Sequence, residues 1–197
     1  MVKQEASVEE RILTTAKSLL AEKGYRETKL REIASGAHTS ESQVVKYFQS
    51  KAGVLDALLT QARIRIQDAL DALQREKEDP VLVLKTIPSL LLDAFDKDPE
   101  LLKVYLFDNR YYTLIPEEQI VQETRLQGKL TDIFRRVKKT KGRPRVLSHE
   151  ALSSVFWGLI LHMIKNRFYA EINPDYPDFA LEEINTVVDT FIGSFVD

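Results

Sequence analysis

The chain has 197 residues, of which 44% are hydrophobic and 29% charged, a composition that is typical of a folded globular protein and excludes a disordered one. It contains no cysteine, which excludes a disulfide framework, a thiolate nucleophile and any Cys-ligated metal site. Because the formal net charge is -2, any nucleic-acid binding must depend on a local basic surface. No apolar run has membrane-spanning length and the N-terminus has no signal-peptide core, so we expect a cytoplasmic protein without a membrane partner.

Motifs of catalysis are missing from the sequence. The histidines His38, His149 and His162 are far apart, and no His-x-x-x-His pair, Gly-x-Ser-x-Gly motif or phosphate loop occurs. We therefore expect a protein that is not an enzyme and that binds no metal and no cofactor.

Helix-capping patterns begin the predicted elements near the N-terminus. Ser7-Val8-Glu9-Glu10 is a capping box, and apolar residues follow it at steps of three and four. Gly24 is expected to end this first helix. A short second helix is predicted from Thr28, and a third from the capping residue Ser40 to about Phe48.

Longer helices are predicted after residue 50. Ser50 is expected to cap a helix that reaches about Glu76, and Asp79-Pro80 and Asp98-Pro99 each combine an N-cap residue with a first-turn proline. Pro88 is expected to kink or split the helix that contains it.

The last three predicted helices run from Pro116 to about Lys139, from Glu150 to Ile172 after Ser148, and from Phe179 to Phe195 after Asp178. The sequence thus predicts an all-α fold of about nine helices. We expect a three-helix helix-turn-helix domain at residues 1–52 and a C-terminal helical bundle at residues 53–197.

Two short helices joined by a tight turn are the arrangement of a helix-turn-helix. Ile33, Ala34, Ala37 and Val44 supply an apolar seam between them, and the small alanines allow close approach. The exposed face of the second helix is expected to contact base edges and phosphates. It carries Glu41, Ser42, Gln43, Val45, Lys46 and Tyr47. The alternative is a plain helical hairpin within a larger bundle.

The stretch Tyr25-Arg-Glu-Thr-Lys-Leu-Arg-Glu-Ile-Ala, followed by Ser40, Val44 and Lys46-Tyr-Phe-Gln-Ser-Lys51, resembles the DNA-binding domain of the TetR/AcrR family. The resemblance implies a ligand-responsive transcriptional regulator, in most members a repressor, that binds a palindromic operator in double-stranded DNA as a homodimer. It implies phosphate contacts from Thr28, Thr39, Gln43, Tyr47 and Lys51. It directs Glu41, Ser42, Val45 and Lys46 toward the major groove, and Ser40 completes the predicted DNA-binding set.

Three positions depart from the family pattern. Val45 stands where the family usually has Tyr, Ser42 replaces a frequent Gly, and His38 occupies the usual turn Gly while a glycine appears at Gly36. The departures leave the fold intact and leave the operator sequence open. A helical small-molecule-binding or adaptor protein without DNA activity is the alternative function.

The resemblance also implies that the last two long helices pair with those of a second copy, and their apolar stripes are compatible with this. The predicted dimer interface contains Phe156, Leu159, Met163, Val188, Phe191, Ile192 and Phe195, with Gly158 permitting close approach. The alternative is that both stripes face only their own core.

A small-molecule effector site, largely apolar, is expected where aromatic side chains gather in the C-terminal region. The candidate residues are Phe95, Tyr105, Asp108, Asn109, Tyr111, Tyr112, Trp157 and His162. Aromatic residues at helical spacing also form plain core, and this alternative stays open.

The segment Arg135–Arg145 is densely basic, and Gly142-Arg-Pro-Arg145 is similar to the core of a minor-groove AT-hook. It is either an additional phosphate-contacting arm or a solvated loop between two helices.

Overall fold

Nine α-helices and no strand form the part of the chain that the computed structural model describes, namely residues 6–76, 79–107, 117–137 and 147–195. The helices are α1 (Val8–Glu27), α2 (Leu30–Gly36), α3 (Glu41–Phe48), α4 (Lys51–Glu76), α5 (Pro80–Ala94), α6 (Pro99–Leu106), α7 (Glu117–Arg136), α8 (His149–Ile172) and α9 (Leu181–Gly193). The all-α prediction is confirmed. None of these described helices is long and apolar enough to cross a membrane.

Several predicted helix starts have the expected cap. The Ser7 hydroxyl accepts from the Glu10 amide while the Glu10 carboxylate accepts from the Ser7 amide, so the capping box at α1 is complete. Asp79, Asp98 and Ser148 likewise accept from backbone amides at the starts of α5, α6 and α8.

Two predicted N-caps are wrong. The N-cap of α2 is Lys29, one residue later than the predicted Thr28, because Glu32 accepts from the Lys29 amide. Helix α9 begins at Leu181 rather than Phe179, because Glu183 accepts from the Ala180 amide. Each start is set by an acidic side chain three residues beyond the N-cap.

Pro88 was expected to kink or split its helix, and the split does not occur. Helix α5 runs through Pro88 without interruption, although proline supplies no amide to the preceding turn. Leu84, Ile87 and Leu91 are almost completely buried around it. Their packing holds the helix together across the missing hydrogen bond.

Helix packing divides the chain into two compact units, and α4 contributes to both. Unit 1 contains Met1–Ala62 and Asp98–Ile115, and unit 2 contains Arg63–Lys97 and Pro116–Asp197. This division differs from the predicted boundary between residues 52 and 53, because α4 continues past that point and α6 packs against α1.

Unit 1 has a core of apolar side chains from its first four helices. The fully buried members include Ile12, Ala16, Ile33, Val44, Val54 and Ala62. Two polar contacts attach α6 to α1: the Lys17 ammonium lies 2.7 Å from Asp98, and the Ser18 hydroxyl donates to Glu100 over 2.8 Å.

Unit 2 has a core in which an aromatic cluster joins α7, α8 and the end of α9. Phe134 and Phe156 have ring centroids 5.5 Å apart, and Phe156 and Phe191 have centroids 6.0 Å apart. Phe195 contacts both Phe134 and Phe191. On the side of α9 that meets α5, Lys85 forms an ion pair with Asp189 at 3.1 Å.

The start of α4 predicts a sharp difference between two Gly→Ala substitutions. A Cβ at Gly53 would lie 1.9 Å from the backbone oxygen of Phe48, whereas a Cβ at Gly128 would have no neighbour within 4 Å. We expect Gly53→Ala to lower the free energy of unfolding by about 2 kcal/mol or more. We expect Gly128→Ala to raise it by about 0.5–1 kcal/mol, because alanine favours helix. Urea unfolding of both variants measures this, and equal effects would contradict the close approach of Gly53 to the Phe48 carbonyl oxygen.

Candidate nucleic-acid interface

The turn between α2 and α3 is a Schellman motif. The Thr39 amide donates to the Ala34 carbonyl over 2.9 Å, and the His38 amide donates to the Ser35 carbonyl over 3.1 Å. His38 adopts a left-handed φ of 52°, a conformation that glycine accepts more readily than histidine. Histidine therefore replaces the glycine usual in the family at the one residue of this turn whose backbone must be left-handed.

The predicted apolar seam between α2 and α3 is confirmed. Ile33, Ala34, Ala37 and Val44 are all at most 3% exposed. Gly36 ends α2 close to α1, since a Cβ there would lie 2.6 Å from the Thr15 methyl carbon. Together these contacts fix the positions of the two short helices within unit 1.

Helix α3 is strongly amphipathic. Val44 and Phe48, one turn apart, are buried, whereas the other face is exposed and includes Val45 and Tyr47, each 44% exposed. We call the exposed set the α3 surface; it consists of Glu41, Ser42, Gln43, Val45, Lys46 and Tyr47. This surface offers carboxylate, hydroxyl, amide, ammonium and apolar groups over two helical turns.

Ser40 caps α3 and is also exposed. Its hydroxyl accepts from the Gln43 amide over 3.3 Å and lies 2.8 Å from the Ser42 hydroxyl. Thr39, which precedes it, is half-buried. The start of α3 is therefore held by its own side chains, and the adjacent α3 surface stays open.

Thr28 was predicted to face a phosphate, and the structure places its side chain elsewhere. Thr28 is 0% exposed, and its hydroxyl lies 2.8 Å from the Gly24 carbonyl oxygen and 3.3 Å from that of Leu19. The prediction is wrong for this side chain, because its hydroxyl closes the end of α1, where Gly24 leaves helical geometry with a φ of 77°. The neighbouring Lys29 is exposed instead.

Lys51 was also predicted to contact a phosphate, but its ammonium is engaged inside unit 1. Its Nζ donates to the carbonyl oxygens of Tyr25 and Thr28, each over 2.7 Å, and lies 4.2 Å from the centre of the Tyr25 ring. Burial lowers the pKa of this amine. We correct the prediction accordingly: Lys51 supports the corner between α1 and α2.

Two further cations that the sequence reading passed over support the same region. The Arg11 guanidinium donates to the Ala37 carbonyl over 3.1 Å and thereby ties α1 to the end of α2. The Lys23 ammonium donates to Glu32 over 2.8 Å, and this hydrogen bond, with that from the Lys29 amide, lowers the pKa of the Glu32 carboxyl. Their positions on the polar face of α1 gave no signal of these partners.

The basic segment Arg135–Arg145 is described only at its start, since residues 138–146 lie outside the described ranges. Arg135 donates to Asp132 and Glu150, each over 2.7 Å, and these carboxylates raise the pKa of the guanidinium, Glu150 more than Asp132. Arg136 donates to Gln74 over 2.9 Å. The two described arginines are thus bound to groups within unit 2.

The candidate effector residues are only partly described. Asp108, Asn109, Tyr111 and Tyr112 lie outside the described residues, and Tyr105 is half-buried in unit 1. In unit 2, Phe95 and Trp157 are buried, whereas His162 is exposed on α8. An exposed imidazole does not line an enclosed pocket, so the predicted place of His162 is corrected.

The predicted dimer residues divide into two groups. Phe156, Met163, Val188 and Ile192 are at most 7% exposed within a single copy and belong to the core of unit 2. They are corrected from interface to core, because the aromatic cluster covers this side of α8. Leu159, Phe191 and Phe195 are half-buried.

The outer face of α8 presents a different set of residues. Val155 is 50% exposed, and Gly158 and His162 follow it on the same side of the helix. A Cβ at Gly158 would have no neighbour within 4 Å.

An open groove of about 410 Å³ lies along α7 and α8 in unit 2. The residues that line it are mostly polar and include Glu123, Gln127, Arg135 and Glu150. Within the described ranges, no group of three His, Asp or Glu side chains could hold a metal ion.

The Schellman turn, the buried seam and the exposed polar face of α3 define the class of helix-turn-helix proteins. Comparison with known proteins agrees with this class. Residues 12–58 match the family model described as bacterial regulatory proteins, tetR family. The helix-turn-helix region of the chain is therefore similar to that of this family.

A relative and several solved structures are also similar to this chain. The chain is 33% identical over 94 residues to YvkB of Bacillus subtilis (strain 168), an uncharacterized HTH-type transcriptional regulator; the alignment covers 48% of each protein. It therefore spans about half the length of that relative.

Two solved structures share the fold over nearly the whole chain. PfmR, a TetR family transcriptional regulator from Thermus thermophilus, superposes with a TM-score of 0.71 at 22% identity, covering 94% of this chain and 96% of PfmR. AibR in complex with isovaleryl coenzyme A and operator DNA superposes with a TM-score of 0.69 at 20% identity, covering 93% of this chain and 97% of AibR.

The Lys51 contacts predict a variant that loses stability. Lys51→Ala removes a charged donor from two backbone carbonyls, and we expect the free energy of unfolding to fall by about 1–3 kcal/mol. Lys46→Ala serves as the control, because Lys46 is exposed on the α3 surface and its removal should change stability by less than about 0.5 kcal/mol. Urea unfolding of both variants tests this, and equal stability of the two would contradict the support role of Lys51.

Proposed function

We propose that the chain is a ligand-responsive transcriptional regulator that binds a palindromic operator as a homodimer and represses transcription. The observation that carries this proposal is the α3 surface, a set of side chains exposed over two turns of a helix whose opposite face is buried. A helix presented in this way fits the major groove of B-DNA.

The α3 surface supplies both kinds of contact that operator recognition needs. Gln43 and Lys46 offer donors to base edges or phosphates, and Glu41 and Ser42 offer acceptors. Val45 offers an apolar contact of the kind that suits a thymine methyl group. Tyr47 and the exposed Lys29 are the remaining candidates for phosphate contact.

We propose that two copies form a homodimer through the outer face of α8. A palindromic site requires a protein with twofold symmetry. Val155 and Gly158 give this face an exposed apolar side chain beside an open backbone position. Half-buried Leu159 lies next to them. This face replaces the core residues of the sequence-based interface.

Unit 2 is proposed to bind the small-molecule effector. AibR, which shares the fold, has been solved with isovaleryl coenzyme A and operator DNA together, so this architecture accommodates both partners in that protein. For the present chain, Phe95 and Trp157 remain the described aromatic candidates within unit 2.

Lys46→Ala tests DNA binding directly. We expect weaker binding to an operator fragment selected from genomic DNA by the wild-type protein, with the slope of log affinity against log salt reduced by about 0.9 for one lost phosphate contact. Fluorescence anisotropy titrations at several salt concentrations measure both quantities.

Lys97→Ala is the matched control for Lys46→Ala, because Lys97 is exposed and belongs to unit 2, whereas the α3 surface belongs to unit 1. We expect it to keep the wild-type salt slope. If the wild-type protein selects no DNA sequence, the adaptor alternative replaces the regulator. If both variants behave alike, the α3 surface is not the contact.

Val155→Asp tests the dimer. Placing an unpaired carboxylate in the proposed interface costs about 3 kcal/mol, so we expect dimer affinity to fall by roughly a hundredfold or more. Ile172→Asp is the control, since Ile172 is 75% exposed on the same helix but on another face. Sedimentation velocity at several protein concentrations distinguishes them. An unchanged Val155→Asp dimer would exclude this face of α8 as the interface.

A further inference from the structure

Helices α4 and α7 run side by side in unit 2 and are connected by polar side chains. Arg63 pairs with Glu123 at 3.2 Å, Lys129 donates to Asp71, and Arg136 donates to Gln74 over 2.9 Å. We call this set the α4–α7 seam. Residue numbers rise along both helices from one contact to the next, so the two helices are parallel.

One end of the seam holds a buried cation whose hydrogen bonds are incomplete. Arg63 is only 8% exposed, and its Nε donates to Glu123, but its Nη1 is buried and has no acceptor among the described residues. Gln67 lies one turn further along α4, and its Nε2 is likewise buried without an acceptor in the described part of the chain. Two buried donors therefore lie one turn apart on one face of α4.

Buried donors of this kind are costly to a fold unless something accepts from them. A guanidinium keeps its charge in any protein environment. A buried N–H without an acceptor loses its hydrogen bonds to water and forms none in their place. The other two contacts of the seam show no such deficit, because Lys129 and Arg136 each have an acceptor. Within the seam, only Arg63 and Gln67 thus have buried donors without an acceptor among the described residues.

Glu123, the hydrogen-bond partner of Arg63, reaches open space. Its side chain is 49% exposed, and it lines the groove along α7 and α8. The Arg63 guanidinium therefore lies within one side chain of a groove of about 410 Å³. A small molecule that reaches the groove could displace or share the Glu123 contact.

We propose that Arg63 and Gln67 bind the carboxylate of the effector, which makes the effector a monocarboxylic acid. One carboxylate oxygen accepts from Arg63 Nη1 and the other from Gln67 Nε2. A doubly charged phosphate is disfavoured, because Glu123 already neutralises the single positive charge of Arg63. This inference rests on the proposed function, in which unit 2 binds the effector, and it adds a polar anchor to the largely apolar molecule expected from the sequence.

The test uses the full-length protein and a thermal-unfolding assay without DNA. The probes are straight-chain carboxylates of about four to ten carbon atoms, each compared with the primary alcohol and the alkyl phosphate of the same length. We expect at least one carboxylate to raise the midpoint of unfolding, because a ligand that binds only the folded state stabilises it. The matched alcohol and phosphate should raise it less.

Arg63→Met assigns the response to the guanidinium. We expect it to weaken binding of the active carboxylate by roughly tenfold or more, the effect of losing a charged hydrogen bond. Arg136→Met is the matched control, because it makes the same exchange at an exposed arginine of the same seam. Should Arg63→Met fail to fold, Gln67→Leu removes the second donor at similar volume, and we expect a loss of roughly fivefold.

The inference is overturned if no carboxylate raises the unfolding midpoint, if alcohols or phosphates act as strongly, or if the Arg63 and Gln67 variants respond like the wild type. Operator binding by the ligand-free protein is measured in parallel. Its failure would refute the proposed regulator, whereas intact operator binding without a carboxylate response would refute only the effector class.

Discussion

The burial of one face of α3 is the constraint on which the rest of unit 1 depends. A helix of eight residues has little stability alone, so α3 exists because Val44 and Phe48 pack into the core, each contributing about 1.5–3 kcal/mol, and because Ser40 caps its first turn. The same packing decides which side chains face outward. Since residues one turn apart share a face, burying Val44 and Phe48 leaves the α3 surface exposed as a consequence of helical geometry.

Two cations stabilise the ends of α1 and α2, and their positions in the sequence do not indicate this role. Arg11 and Lys51 both direct their charged groups at backbone carbonyls, at the end of α2 and at the end of α1 respectively. The three carbonyl groups, of Ala37, Tyr25 and Thr28, lie near a helix end, where acceptors lack intrahelical partners. Arg11 and Lys51 thus differ from the exposed Lys46 in having backbone carbonyl oxygens within reach of their charged groups.

Unit 2 combines two kinds of interior. The aromatic cluster of Phe134, Phe156, Phe191 and Phe195 is a packed core that ties α7, α8 and α9 together. The α4–α7 seam is polar, and at Arg63 and Gln67 its donors are incompletely matched. Because a packed core has no room for a ligand while unmatched donors favour one, the polar anchor of the effector is proposed at the seam and not in this aromatic cluster.

The sequence alone determined the all-α class and most helix starts, because capping boxes, proline at first turns and apolar spacing act over a few residues. It also determined the α3 surface, since helical periodicity separates Val44 and Phe48 from their neighbours. Only the tertiary structure decided that Thr28 and Lys51 face inward, that α5 passes through Pro88, and that Phe156 and Val188 are core rather than interface. Each of these depends on which distant segment packs against the residue, and the spacing of nearby residues does not identify that segment.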